Sequence, residues 1–313
     1  MTAPHVLLMA NVHPLLVESL EKTYQLHEFL PSQSNEPLEG IAQDIQAIVA
    51  YGESRVTPDF LAQFPAAKLL AVWGVGYDGV DVAGAHSLGV SVTNTPDVLT
   101  DDVADLAMGL VLATARAIPS ADRFVKAGKW GSEKFPLTRK VSGSRLGVVG
   151  LGRIGLAIAQ RAEAFGMKIS YSARQRKEDV GYPYYSSPQA LAAGVDFLMV
   201  CTVGGNPTRG LIDAEVLNAL GPEGILINVA RGSVVDESAL IKALLEKRIA
   251  AAALDVFVDE PNVAAELRQM DNVVLTPHMA SSTLNTRIAM NNLVMQNLAA
   301  YFKGEALITP VSS

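Results

Sequence analysis

The stretch Gly150-Leu151-Gly152-Arg153-Ile154-Gly155 constrains this chain more than any other. An apolar run, Leu146-Gly147-Val148-Val149, leads into it. Residues with helical apolar spacing, Leu156, Ala157, Ile158, Ala159, Ala162 and Phe165, lead out. Strand, tight glycine turn and helix form the frame in which doubly wound parallel sheets hold a dinucleotide. In that frame Gly150 makes the turn, Gly152 leaves room for a pyrophosphate at the backbone, and Gly155 lets the helix lie close on the strand. Arg153 and Ile154 open the helix, whose unpaired N–H groups and partial positive charge favour an anion. A glycine-rich turn without function is the bland alternative, and the flanking strand and helix patterns weigh against it.

The rest of the chain agrees with parallel α/β architecture, because short apolar runs alternate with helical patterns. At about 150 residues per domain, 313 residues suggest two domains. Before the turn, strands are expected at 5–9, 24–29, 47–50, 69–73 and 90–93, with helices at 14–22 and 58–64. A long helix from 102 to about 127 is apolar on much of its circumference and is expected to bend or break near Pro119. Such a helix is buried, either within the monomer or at a subunit contact. After the turn, strands are expected at 146–149, 168–172, 196–201, 225–229, 252–257 and 273–276. Helices at 154–165, 213–220, 237–247 and 282–303 intervene or follow.

Composition removes several classes of function. Lys and Arg number 25 against 32 Asp and Glu, and a net charge of −7 is a poor surface for nucleic acid. No apolar run reaches the roughly 18 residues of a membrane span, so no membrane partner is expected. The start of the chain lacks the basic region and long apolar core of a signal peptide. Cys201 is the only cysteine, so an internal disulfide is excluded and a cytoplasmic location is expected. The five histidines show no metal-ligand spacing, so no metal is expected.

The end of the next strand selects the cofactor. NAD binders place an acid about 20 residues beyond the glycines to accept from the ribose 2′-OH. Here Ser170-Tyr171-Ser172-Ala173-Arg174-Gln175-Arg176-Lys177 contains none. It offers the Ser172 hydroxyl and the Arg174 and Arg176 guanidinium groups, which suit a 2′-phosphate through charge-assisted bonds. A solvated basic turn is the alternative. The missing acid outweighs it, and NADP(H) is the expected cofactor.

Ligands of such sheets bind outside the carboxyl ends of the strands. Three later apolar runs each lead to a polar residue of the right type. Ile225-Leu226-Ile227-Asn228-Val229-Ala230 ends at Arg231, Leu254-Asp255-Val256-Phe257 leads to Glu260, and Val273-Val274-Leu275-Thr276-Pro277 ends at His278. Histidine exchanges protons near neutrality. A carboxylate beside it favours the imidazolium. Arginine clamps a carboxylate bidentately. Taken singly, each could be an ordinary loop or surface residue; at successive strand ends they describe reduction of a 2-oxo acid. Cys201 also ends a strand, but a free cysteine is usually a small buried hydrophobe.

At these residues the sequence resembles the D-isomer-specific 2-hydroxyacid dehydrogenases. The matching stretches are 149–155, 228–237, 255–261 and 276–278, joined by Gly74-Val75-Gly76-Tyr77-Asp78-Gly79-Val80-Asp81 and by 94–105. Within that family the likeness is closest to the NADPH-dependent glyoxylate/hydroxypyruvate and hydroxyphenylpyruvate reductases, carried by 94–105 and the basic window at Arg174. The resemblance implies two doubly wound domains around a cleft: a flavodoxin-like substrate domain at 1–97 and 285–313, and a Rossmann dinucleotide-binding domain at 98–284. It implies a homodimer formed through the nucleotide domain, which suits the apolar helix after Asp102. His278 would be the acid/base, Glu260 its partner and Arg231 the substrate clamp. Backbone N–H groups of Val75 and Gly76 would hold the substrate carboxylate, and the loop at Tyr51 and Gly52 would read its side group. Asp255 would contact the nicotinamide carboxamide, with Thr202 and Pro207 along the adenosine. The stretch Val203-Gly204-Gly205-Asn206-Pro207-Thr208 departs from the Leu-Thr-Pro-Glu-Thr type of many relatives.

The expected activity is NADPH-dependent reduction of a small 2-oxo acid, glyoxylate or hydroxypyruvate, to the D-type 2-hydroxy acid. Hydroxyphenylpyruvate and 2-ketogluconate are the rival substrates, because pocket width is not written in the sequence. A non-catalytic dinucleotide sensor is the rival class: the C-terminal-binding-protein corepressors share this fold and these three polar residues, so fold alone does not prove turnover. Those proteins carry long tails, whereas here the first strand begins by His5 and the last helix ends near Lys303, so an enzyme is expected.

Overall fold

The computed structural model describes residues 3–29, 38 and 40–312. They form two units, Met1–Leu99 with Ser281–Ser313, and Thr100–Ala280. The first unit contains, in chain order, β1 (His5–Leu8), α1 (Pro14–Thr23), β2 (Gln25–Glu28), β3 (Ile45–Tyr51), α2 (Pro58–Leu61), β4 (Leu69–Trp73), α3 (Val82–Ser87) and β5 (Ser91–Thr93). Its five strands pair in the order β2-β1-β3-β4-β5, and every pairing is parallel. Ile48, Val49, Leu69, Leu70 and Ala71 are fully buried, as expected for strands covered on both faces. The helices start where their sequences cap them. His13, Thr57 and Asp81 each accept a backbone N–H of the first turn, and Pro14 and Pro58 follow the first two.

The second unit begins with α4 (Thr100–Ala115) and α5 (Ile118–Lys126). Then come β6 (Arg145–Val149), α6 (Arg153–Ala164), β7 (Lys168–Ser172), β8 (Tyr184–Tyr185), α7 (Pro188–Ala192), β9 (Phe197–Val200) and α8 (Ala214–Leu220). It closes with β10 (Ile225–Asn228), α9 (Glu237–Leu245), β11 (Ala251–Leu254), α10 (Ala265–Gln269) and β12 (Val273–Leu275). The sheet order is β12-β11-β10-β9-β6-β7-β8, all parallel. The last helix, α11 (Leu284–Lys303), belongs to the first unit and packs on β4. The expected pair of doubly wound parallel sheets is therefore what the chain forms.

One of three local expectations needs correction. The stretch expected from 102 to about 127, with a bend or break near Pro119, is two helices bent by 58°. The break is at Ala117, which takes a left-handed φ of 48°, and Pro119 sits in the first turn of α5, where its missing N–H costs nothing. The apolar circumference of α4 is consumed inside its own unit: Val103, Ala104, Ala107, Leu110 and Val111 are buried, and the helix packs on α6, β10 and β11. The strand expected at 252–257 stops at Leu254, so Asp255 already lies past its carboxyl end. The short α3, β8, α7 and α10 carry too few residues for a periodic signal. Among the described residues no single helix is long and apolar enough to cross a membrane.

Candidate active site

Strands β10, β11 and β12 are neighbours and parallel, so the segments that leave them share one edge of the sheet. Those segments carry Arg231, Glu260 and His278. His278 Nδ1 lies 2.7 Å from Glu260 Oε2, with the two side chains 22% and 23% exposed. The other carboxylate oxygen, Oε1, accepts the Phe257 N–H at 2.9 Å, which fixes the acid from its own loop. Burial pushes the Glu260 carboxyl up. The hydrogen bonds from His278 and Phe257 and the charges of His278 and Arg231 outweigh that effect and hold it below its ordinary value. With Nδ1 engaged by the carboxylate, proton exchange with a substrate falls to Nε2.

His278 has φ of 49°, a left-handed conformation uncommon for a residue with a side chain. Asp255 enforces it. This fully buried carboxylate accepts the Thr276 hydroxyl at 2.6 Å, the Met279 N–H at 2.9 Å and the Ala280 N–H at 3.0 Å. Its own carbonyl accepts the His278 N–H at 2.8 Å. The residue thus clamps the loop on both sides of His278. Burial pushes its carboxyl up, against the opposing hydrogen bonds and the charge of His278.

Arg231 is aimed by Asn228, the last residue of β10. The Asn228 Nδ2 donates to the Arg231 carbonyl at 2.9 Å and its Oδ1 accepts the Ala230 N–H at 3.0 Å. A Cβ on Gly232 would overlap the Phe257 carbonyl, so the Arg231 turn lies directly on the loop that carries Glu260. Asn228, only 1% exposed, had no role in the sequence reading; its one signal was a polar residue closing an apolar strand.

The glycine turn follows β6 on the same edge. Gly150 has φ of 95° and donates its N–H to the Ser172 carbonyl at 2.8 Å. A Cβ there would stand 2.7 Å from the Thr202 Cα, and one on Gly155 would overlap the Gly150 carbonyl. At Gly152 it would meet nothing within 4 Å, so this backbone is open to a ligand. The Cys201 thiol donates to the Gly150 carbonyl at 3.1 Å, and burial pushes it up to about 12, which leaves it neutral.

A cavity of about 560 Å³ runs from Gly150, Gly152 and Thr202 to Arg174, Arg176 and Lys177. Among the described residues no carboxylate lines it. Open glycine backbone at one end and cations at the other fit a dinucleotide bearing a 2′-phosphate. Arg153 is exposed at the start of α6 and Ile154 is half-buried beside it. Ser172 is 3% exposed, and neither it nor the exposed Pro207 lines this cavity. A larger space of about 900 Å³, between α5 and residues 133–139, reaches Ile225, Ala251 and Val273 at the amino ends of their strands. It is at the opposite edge from the polar residues, and Arg231, Glu260 and His278 line neither cavity.

In the first unit, Tyr51 and Gly52 close β3, and Val75 and Gly76 follow β4. A Cβ on Gly52 would overlap the Gly76 carbonyl, so the buried Gly52 is there for close packing of these two loops. Asn94, after β5, donates Nδ2 to the Val75 carbonyl at 2.9 Å. Among the described residues the N–H groups of Val75 and Gly76 find no acceptor.

Residues 108–280 match the family model described as D-isomer specific 2-hydroxyacid dehydrogenase, NAD binding domain. The chain is 45% identical over 307 residues to a glyoxylate/hydroxypyruvate reductase A of Arabidopsis thaliana, covering 98% of each chain. It is 44% identical over 312 residues to a hydroxyphenylpyruvate reductase of Plectranthus scutellarioides, covering 99% of this chain and 100% of that one. Among solved structures, an NADPH-dependent glyoxylate/hydroxypyruvate reductase from Sinorhizobium meliloti, in complex with NADP and malonate, matches with a TM-score of 0.93 and 42% identity. That match covers 99% of this chain and 97% of the other.

Proposed function

The chain belongs to the D-isomer-specific 2-hydroxyacid dehydrogenase family, and on that premise we propose that it reduces small 2-oxo acids with NADPH, glyoxylate and hydroxypyruvate foremost. The observation that carries this reading is the 2.7 Å pair of His278 and Glu260 on the edge that also carries Arg231 and the glycine turn. When bound, the cofactor supplies the hydride that reduces C2. Arg231 takes the substrate carboxylate and polarises the carbonyl. His278 gives a proton from Nε2 to the carbonyl oxygen, which becomes the hydroxyl, and is left neutral. Glu260 holds Nδ1 and stabilises the imidazolium before the transfer. The preference for NADPH is supported by the cations of the 560 Å³ cavity and by the lack of a carboxylate among the described residues that line it.

The test is a steady-state panel of glyoxylate, hydroxypyruvate, hydroxyphenylpyruvate and 2-ketogluconate against NADPH and NADH. Replacement of the general acid, His278→Ala, is expected to cost about 100-fold or more in kcat while NADPH binding persists. Nearly normal turnover in that variant would defeat the assignment. Tight NADPH binding with no oxidation across the panel would favour a dinucleotide sensor instead.

A further inference from the structure

The loop that leaves β7 carries Arg174, Arg176 and Lys177, the cations of the 560 Å³ cavity. Residues 174–177 are exposed and belong to no helix or strand. Among the described residues no ion pair fixes any of the three cations. Three like charges within four residues repel one another, so the loop needs something else to hold it.

Two tyrosine hydroxyls do so. Tyr171 Oη accepts the Lys177 backbone N–H at 2.7 Å and donates to the Lys177 carbonyl at 3.3 Å. Tyr184 Oη donates to the Ala173 carbonyl at 3.2 Å. These bonds bracket Arg174, Gln175 and Arg176 from both ends. The bonds to Lys177 are the only hydrogen bonds that the backbone of 174–177 makes among the described residues.

The hydroxyls are themselves placed by the sheet. Tyr171 is fully buried on β7, and the half-buried Tyr184 is its register partner on β8, with ring centres 5.4 Å apart. Strand β8 is only two residues long and lies at the end of the sheet. Neither tyrosine lines the cavity, so what they do for a ligand passes through the loop backbone. A loop fixed in this way loses its freedom on folding rather than on binding. It then presents both guanidinium forks already in place, which is what a charge-assisted phosphate contact requires.

We propose that Tyr171 and Tyr184 set the preference for a dinucleotide bearing a 2′-phosphate over one with a free 2′-hydroxyl, as positioning residues that hold the cationic loop. The proposal rests on the reading that the chain uses NADPH.

The experiment measures dissociation constants of NADPH and NADH by fluorescence titration. It compares the full chain with Tyr171→Phe, Tyr184→Phe and the double variant, each of which keeps the rings and removes hydroxyls. Loss of each hydroxyl is expected to weaken NADPH about 3- to 10-fold and NADH less than about 2-fold, the worth of a neutral hydrogen bond felt only by the phosphate. In turnover with glyoxylate the loss should fall on KM for NADPH, with kcat at saturating cofactor held within about 2-fold. In an Arg174→Ala, Arg176→Ala background, removing the hydroxyls should change NADPH binding by less than about 2-fold, because no fork is left to position. Equal weakening of both cofactors, no weakening of either, or the full effect retained in that background overturns the proposal. If Tyr171→Phe does not fold, Tyr184→Phe decides on the same criteria. A wild-type preference for NADPH that the variants leave unaltered rejects the tyrosine role alone. If the wild type binds NADPH no tighter than NADH, the cofactor reading has failed, and the tyrosine role falls with it.

Discussion

Replacing Glu260 with Gln isolates what its charge does. The variant keeps an oxygen for the Phe257 N–H, now 2.9 Å from Oε1, and keeps a polar atom opposite His278 Nδ1. What it loses is the negative charge 2.7 Å from the imidazole. A carboxylate at that range moves a neighbour by about 1–3 pKa units, and partial exposure of the pair argues for the lower half, about 1–2 units. At 1.36 kcal/mol per unit this is about 1.4–2.7 kcal/mol of imidazolium stabilisation. The sign follows from the direction of reaction. Reduction needs protonated His278, so its alkaline limb should move down by about 1–2 pH units in Glu260→Gln. Well above both midpoints the reductive rate should fall about 10- to 100-fold, and at low pH the two enzymes should converge. Oxidation needs the neutral imidazole, so its acidic limb should move down too and the variant should gain activity at low pH. The assay is kcat/KM from about pH 5 to about pH 9.5 with hydroxypyruvate, and with D-glycerate in reverse. An unmoved limb, or a uniform loss at every pH, would refute the electrostatic role and leave Glu260 as a positioning group only.

Two further outcomes are expected. Arg174→Ala should weaken NADPH about 10- to 100-fold, the worth of a charge-assisted contact, and NADH far less; equal losses measured by fluorescence titration would reject a 2′-phosphate contact. Asp196 accepts from the Arg145 guanidinium at 2.8 Å and backbone N–H at 2.8 Å, and from Arg139 at 3.1 Å. The Arg145 hydrogen bond leads the contacts that hold its carboxyl below the ordinary 3.8, against the opposing effect of burial. A depressed carboxyl stabilises the fold above its unfolded pKa, and that contribution fades as pH falls through the folded one. Asp196→Asn should therefore cost about 1 kcal/mol near neutrality, a figure kept low because Arg145 is half exposed, and the difference should shrink as pH falls below the ordinary 3.8. Urea unfolding at several pH values reads it, and a gap that persists in acid would contradict the account.

Much of the fold was legible because the deciding forces are local. A strand covered on both faces must be an unbroken apolar run, and β4 at Leu69–Trp73 is bounded as the sequence implies. A turn at φ of 95° must be glycine, so Gly150 announces itself. The break after α4 was legible near Pro119, and the residue that makes it, Ala117, has no sequence mark of its own. The identities of Arg231, Glu260 and His278 were also legible, as reactive types at the ends of apolar runs.

Their meeting was not. The order β12-β11-β10 sets three distant segments side by side, and strand order is decided by packing across the whole sheet rather than by any one strand. Only the folded chain shows that both carboxylate oxygens of Asp255 hold the His278 loop, that Asn228 turns Arg231, and that Gly52 is small to admit the Gly76 carbonyl. Only it shows that the Arg287 guanidinium lies over the Trp73 ring, 4.7 Å from its centre. Local chemistry chose the elements and the reactive side chains, since backbone geometry and burial act residue by residue. Tertiary structure chose which of those side chains touch, since contact depends on distances that no single segment encodes.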